Sequence, residues 1–339
     1  MENEKIISNR SEILFLYDIL DANPNGDPLD GNKPRLDEDT EINLVTDTRL
    51  KRTIRDYLKD VKSYEIFIKE KKDSEGHFQT IKSRIEDFID ENTVKKGFES
   101  IDDAKKYILN TIIEECIDVR LFGATIAPKK YQIPVLDKKD KNKTKLVDFG
   151  SINLTGPVQF RMGRSLNKVD IIHIKGTGAF ASDEGKFQKT FREEYIVPYS
   201  LISFYGIINE NVAQDTKLTN DDVSLLIEGI WNGTKNLITR SKFGQMPRFL
   251  LQIEYGGNNF FIGDLNNKIS IGEKINDKSI RNIGEVELDI SQLINSIEKH
   301  SNKINKIYYK FDENIKFRDL DFDDLKEKFS KIEFVELKF

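Results

Sequence analysis

At 339 residues the chain exceeds the length at which one hydrophobic core usually stops growing, so two lobes or one core with large insertions are expected. Hydrophobic residues make up 38% and charged residues 33%; the net charge of −5 gives no global argument for a nucleic-acid partner, which local patches would have to meet. No apolar run approaches the ~18 residues of a membrane span and no signal-peptide pattern opens the sequence, so a soluble cytoplasmic protein without a membrane partner is expected.

Ile13 to Tyr17 is an unbroken apolar run, extended by Ile19 and Leu20, and reads as a buried strand. It runs into Asn23-Pro24-Asn25-Gly26-Asp27-Pro28, where every residue favours a turn. No second strand follows at hairpin spacing, and the next periodic segment begins near Thr46. A loop of about two dozen residues in a compact domain is usually functional or disordered. Residues 47–61 then form a helix whose stripe is Leu50, Ile54, Tyr57, Leu58 and Val61. Opposite the stripe stand Arg49, Lys51, Arg52, Arg55, Lys59 and Lys62. A cationic helix face suits a phosphate backbone, although an ordinary solvated face has the same pattern.

From 62 to about 155 the chain is charge-rich, with a strand candidate at Tyr64 to Ile68, helices near 84–91 and 101–119, and a lysine-rich loop at 137–145. Residues 156–163 alternate as a strand, and 195–209 form a long, nearly continuous apolar strand. Thr219 and Asp222 make a capping-box start for a helix, and 248–255 alternate as a further strand. A helix near 290–300, a strand near 307–311 and a helix near 319–329 follow. With the insertions set aside, the order is β-α-β-β-α-β, the split βαβ or ferredoxin-like α+β unit, in which the first and third strands are central. The two most continuously apolar strands are the first and third.

Little here suggests catalysis. Cys116 sits in an apolar-periodic segment with Ile112, Ile113 and Val119, so it reads as core. As the single cysteine it excludes an intrachain disulfide framework and a zinc site built mainly on cysteine. His77, His173 and His300 are scattered, so no catalytic residue, metal or cofactor is expected.

The segments NPNGDP, TDTRLKRTIRDYL, GPVQFRMGRSLNKV, REEYIVPYSLISFYG and TRSKFGQMPRFLLQIEY occur in this order. Together they resemble the backbone subunit of type I CRISPR Cascade complexes, the Cas-seven family, and most of all its Csh type of subtype I-B. The resemblance covers most of 11–255. It implies a hand-like, RRM-like fold of the RAMP superfamily: a ferredoxin-like palm, helical fingers and a β-hairpin thumb. On this sequence the palm would be 1–61, 156–164 and 193–339, the fingers 62–155 and the thumb 165–192. It also implies head-to-tail stacking of copies along one CRISPR RNA, with other Cascade subunits, so that the guide pairs with target DNA. Such a subunit binds and does not cut.

The resemblance gives the residues roles. Asn23 and Asn25 would contact the guide from a glycine-containing turn whose amides approach phosphate. Arg49, Lys51, Arg52 and Arg55 would line its backbone, with Arg240 and Lys242 of the TRSK run and, more weakly, Arg161, Arg164 and Lys168. In the thumb, Lys175, Lys186, Lys189 and Arg192 supply charge, and Phe180 and Phe187 a wedge or stacking surface. The rival class is a metal-dependent RNA endonuclease of the type III kind, using an aspartate among Asp27, Asp30, Asp37 and Asp47. A protein-only scaffold leaves the cationic helix face unexplained.

Overall fold

Both faces of the first strand, β1 (Ser11–Ala22), are covered in the computed structural model: Ile13, Leu14, Phe15, Leu16 and Ile19 have no exposed surface. The structure describes residues 5–140, 143–181, 189–257, 259–272, 276–319 and 322–339. The chain is mixed α/β and divides into two units. Among the described residues no helix is long and apolar enough to cross a membrane.

The first unit comprises Asn9–Tyr57, Gln159–Ile208 and Ile227–Phe339. After β1 its elements are β2 (Ile42–Val45), α1 (Asp47–Asp60) as far as Tyr57, β3 (Gly163–Lys168), β4 (Ile172–Ala181), β5 (Lys189–Ile208), α2 (Asn220–Lys235) from Ile227 on, β6 (Met246–Tyr255), β7 (Ile304–Phe311) and β8 (Glu333–Glu336). They build one sheet in the order β8-β7-β6-β1-β5-β3-β2, with Leu36–Asp37 beyond β2. Only the β7–β8 pair is parallel among these neighbours. Phe15 lies opposite Phe204 on one side and Leu250 on the other, which explains why β1, β5 and β6 read as continuous apolar runs.

Helix α1 buries Leu50, Ile54, Tyr57 and Leu58. Two glycines let α2 approach it: a Cβ on Gly229 would stand 3.2 Å from Ile54 Cγ2, and one on Gly233 3.1 Å from Tyr57 Cβ. The Tyr57 hydroxyl also donates to Glu228 Oε1 at 2.6 Å. The buried arc of α1 is wider than the apolar stripe: it takes in Thr53, which faces Gly233, and also Arg55. Val61 lies past the helix end and is exposed.

The second unit comprises Leu58–Val158, Asn209–Leu226 and the N-terminal residues up to Ser8. Its helices include Ile81–Glu86, Glu91–Lys96, Ile101–Glu115 and Ile117–Phe122, packed on a core containing Ile108, Ile112, Cys116 and Phe149. It also holds two antiparallel strand pairs, Gly123–Ile126 with Ile152–Thr155 and, between them in sequence, the hairpin Gln132–Leu136 with Thr144–Asp148, so the insertion is not purely helical. The strand expected at Tyr64 to Ile68 is absent. There the N–H groups of Phe67 and Ile68 donate to the Asp118 carboxylate, and the buried Arg84 donates to the carbonyls of Ile66 and Phe67. Side chains satisfy this backbone, so no ladder partner is required. The Thr219–Asp222 capping box is present, with reciprocal bonds of 3.1 and 3.2 Å.

Two further expectations change. The strand expected over 156–164 is two strands, Val158–Phe160 and β3, because Arg161 and Met162 are both exposed and break the period of two. The loop after β1 is not structureless: Gly26–Asp27 pairs with Lys33–Pro34, and Leu36–Asp37 with β2. The polar segment between the second and third core strands is a long hairpin, in which β4 pairs with β5 from Ile172↔Ile196 to Ala181↔Lys189.

Candidate nucleic-acid interface

Three segments distant in sequence meet at the end of β1. The Asn23 N–H donates to the Ser241 carbonyl at 2.8 Å, which ties the turn to the loop between α2 and β6. Asn25 Oδ1 accepts from the Thr46 N–H and hydroxyl at 2.8 and 2.9 Å, and Thr46 Oγ1 in turn accepts from Arg49 N–H at the start of α1. The turn therefore positions the helix N-cap. Asn23 is buried and its amide donates to Asn32 O at 2.7 Å, while the Asn25 amide donates to Gly26 O. Both amide groups are thus engaged within the turn itself.

This scaffold brings Arg49 and Lys242 together. Arg49 is half-buried; its Nη2 donates to Thr53 Oγ1 at 3.0 Å and its buried Nε has no hydrogen-bond partner. Burial lowers the Arg49 pKa, with the Asp56 charge opposing and that of Arg52 adding. Burial and then the Arg49 charge push the Lys242 ammonium below the usual lysine range. The Arg49 charge thus disfavours the Lys242 ammonium in a partly buried setting, a strain that an anion would relieve. Arg52, whose charge also acts on Arg49, is exposed and held by Asp56 through bonds of 2.8 and 2.9 Å. Arg240, on the same loop as Lys242, is 68% exposed and 3.6 Å from Glu194. It borders a groove of about 700 Å³ that Asn23, Tyr195 and Ile174 also line.

The other expected cations do not join this cluster equally. Arg55 is only 9% exposed, which corrects its placement on the solvent face. Lys51 is held by Asp47 at 3.1 Å and by Gln159 at 3.3 Å. Arg161 pairs with Asp264 and lies over the Tyr205 ring; Arg164 pairs with Asp37, whose carboxyl this bond holds below the usual range. Lys168 faces Glu41 at 3.4 Å. Lys175 of β4 is exposed, 3.3 Å from Glu193. Phe180 and Lys189 lie on the paired strands β4 and β5, whereas Lys186 and Phe187 lie outside the described residues.

The four aspartates of the endonuclease alternative are each matched by a cation: Asp27 by Arg35, Asp30 by Lys33, Asp37 by Arg164 and Asp47 by Lys51. Among the described residues, no three His, Cys, Asp or Glu side chains group so as to hold a metal ion.

A family model described as CRISPR-associated protein Cas7 matches residues 9–291. The chain belongs to the Cas7 family. A curated relative, CRISPR-associated protein Cas7 of Haloferax volcanii, is 32% identical over 306 residues, covering 88% of this chain and 86% of the relative. Solved chains titled CRISPR RNA-guided surveillance complex, one of them pre-nicking, align at TM-scores of 0.49 and 0.46 with 10% and 11% identity. They cover 95% of this chain and 99% and 98% of their own.

Two features of this Cas7 chain are missing from the sequence reading. Tyr195 stacks on His173 at 4.5 Å and lies under Lys33 at 5.6 Å, fastening the turn to the hairpin base. No sequence pattern announces contacts between such distant residues. Phe243, beside Lys242, is exposed; an aromatic side chain inside the polar run TRSKFG was the available signal.

Proposed function

We propose that this Cas7-family chain binds CRISPR RNA and repeats along it as the backbone subunit of a type I, subtype I-B, Cascade complex, presenting the guide for pairing with target DNA. What supports the reading is the junction at the end of the central strand, where the Asn23–Ser241 and Asn25–Thr46 bonds hold the loop of Lys242 and the helix start of Arg49, whose charge acts on the Lys242 ammonium. Phosphates arriving there replace cation–cation repulsion by charge-assisted bonds and release counterions. The order β6-β1-β5-β3, with α1 after β1 and α2 after β5, supports a ferredoxin-like palm. In this reading the β4–β5 hairpin is the thumb and the insertion within 62–155 the fingers. The subtype rests on the five ordered segments.

The same reading makes the chain a binder and not a nuclease, because Asp27, Asp30, Asp37 and Asp47 are paired with its own cations. Purified protein is expected to carry RNA, seen as a raised absorbance ratio at 260 nm. It is also expected to leave single-stranded RNA intact with Mg²⁺ or Mn²⁺. Cleavage abolished by Asp27→Ala or Asp30→Ala would establish the endonuclease alternative instead.

A further inference from the structure

The loop between α2 and β6 exposes two large apolar side chains, Ile238 at 70% and Phe243 at 65%. Single exposed apolar residues are ordinary, but here both flank Arg240 and Lys242 within six residues of chain. The loop is fixed in place by the Ser241 carbonyl, which takes the Asn23 N–H, so Phe243 is held two residues from an anchored point. Its immediate neighbour Lys242 lies within electrostatic reach of Arg49. Among the described residues no aromatic ring or cation packs on the Phe243 ring.

We infer that Phe243 is a stacking platform for an unpaired base of the bound strand, with Ile238 extending the apolar surface. This inference rests on the RNA-binding reading above. An exposed aromatic ring in the same anchored loop as two cations calls for a partner that is anionic and carries flat apolar faces, and single-stranded nucleic acid is that partner. With one phosphate on Lys242 and Arg49, the base of the same or the next nucleotide falls beside residue 243. Every base has a π face, so the contact adds affinity without selecting sequence.

The test compares wild type, Phe243→Ala and Phe243→Trp on single-stranded RNA and on an abasic strand of equal length. Phe243→Ala is expected to weaken RNA binding about ten-fold, as for loss of one stacked base. The salt slope is expected to stay unchanged, because no phosphate contact is removed. Phe243→Trp restores the affinity. Wild type prefers RNA to the abasic strand, and Phe243→Ala loses most of that preference. Equal RNA affinity of Phe243→Ala and wild type overturns the inference, as does an equal loss on the abasic strand. Self-association that falls in Phe243→Ala without RNA assigns the residue to protein contact and also overturns it. Wild-type protein that binds no RNA overturns the RNA reading itself, and this inference with it.

Discussion

Replacing Arg49 and Lys242 together by glutamine is expected to flatten the dependence of log K on log salt by about 1.4, at about 0.7 per phosphate contact on a single strand. At about 0.1 M salt that counterion term alone corresponds to a loss of roughly 25-fold in affinity, and the charge-assisted bonds lost with it make the fall larger. Unrelated RNA sequences should lose equally, because phosphate contacts position a strand without reading it. The fold should not suffer. Lys242 titrates below its unfolded value, so the unfolded chain binds more protons and stability rises with pH in the window between the folded and unfolded values. Below that window the charged Lys242 is a destabilising element. Its neutral replacement is therefore expected to leave the unfolding temperature at pH 7 unchanged or raised. Wild-type affinity and slope in the double variant would show that the pair is not the phosphate site.

Replacing residues 176–192 by a short Gly-Ser turn is expected to abolish regular multi-copy assembly on RNA while leaving the sheet intact. The cut removes the pairs from Gly176↔Arg192 to Ala181↔Lys189 and keeps those from Ile172↔Ile196 to Lys175↔Glu193. The segment of β5 that pairs with β1, Val197 to Ile208, is untouched. Shortening a strand connection changes closure entropy only slowly with length. Circular dichroism and thermal unfolding should thus match wild type, and one copy should still bind a short strand. Arrays of wild-type regularity on long RNA would remove the thumb assignment from the hairpin.

The parts legible from sequence are those where one physical requirement dominates. β1 and β5 read correctly because strands covered on both faces need apolar residues at every position, as Ile13 to Leu16 show. The α1 stripe and the Thr219–Asp222 cap were readable for similarly local reasons. What was not legible depends on partners far along the chain. Arg55 looks solvent-facing on a helical wheel, yet it is buried. Residues 64–68 have strand-like composition, yet Asp118 and Arg84 take their backbone groups. The bonds of Asn23 and Asn25 within their turn were not readable either, because they depend on the positions of Asn32 and Thr46. Arg49 and Lys242 were each visible as cations; their pairing was not, since nearly two hundred residues separate them.

The central claim is repetition along a strand of RNA, and native mass spectrometry of the purified chain on single-stranded RNAs of increasing length measures it directly. The account predicts that the number of bound copies rises by one for each fixed increment of nucleotides, whatever the sequence. A single copy at every length, or no complex at low salt, would contradict it.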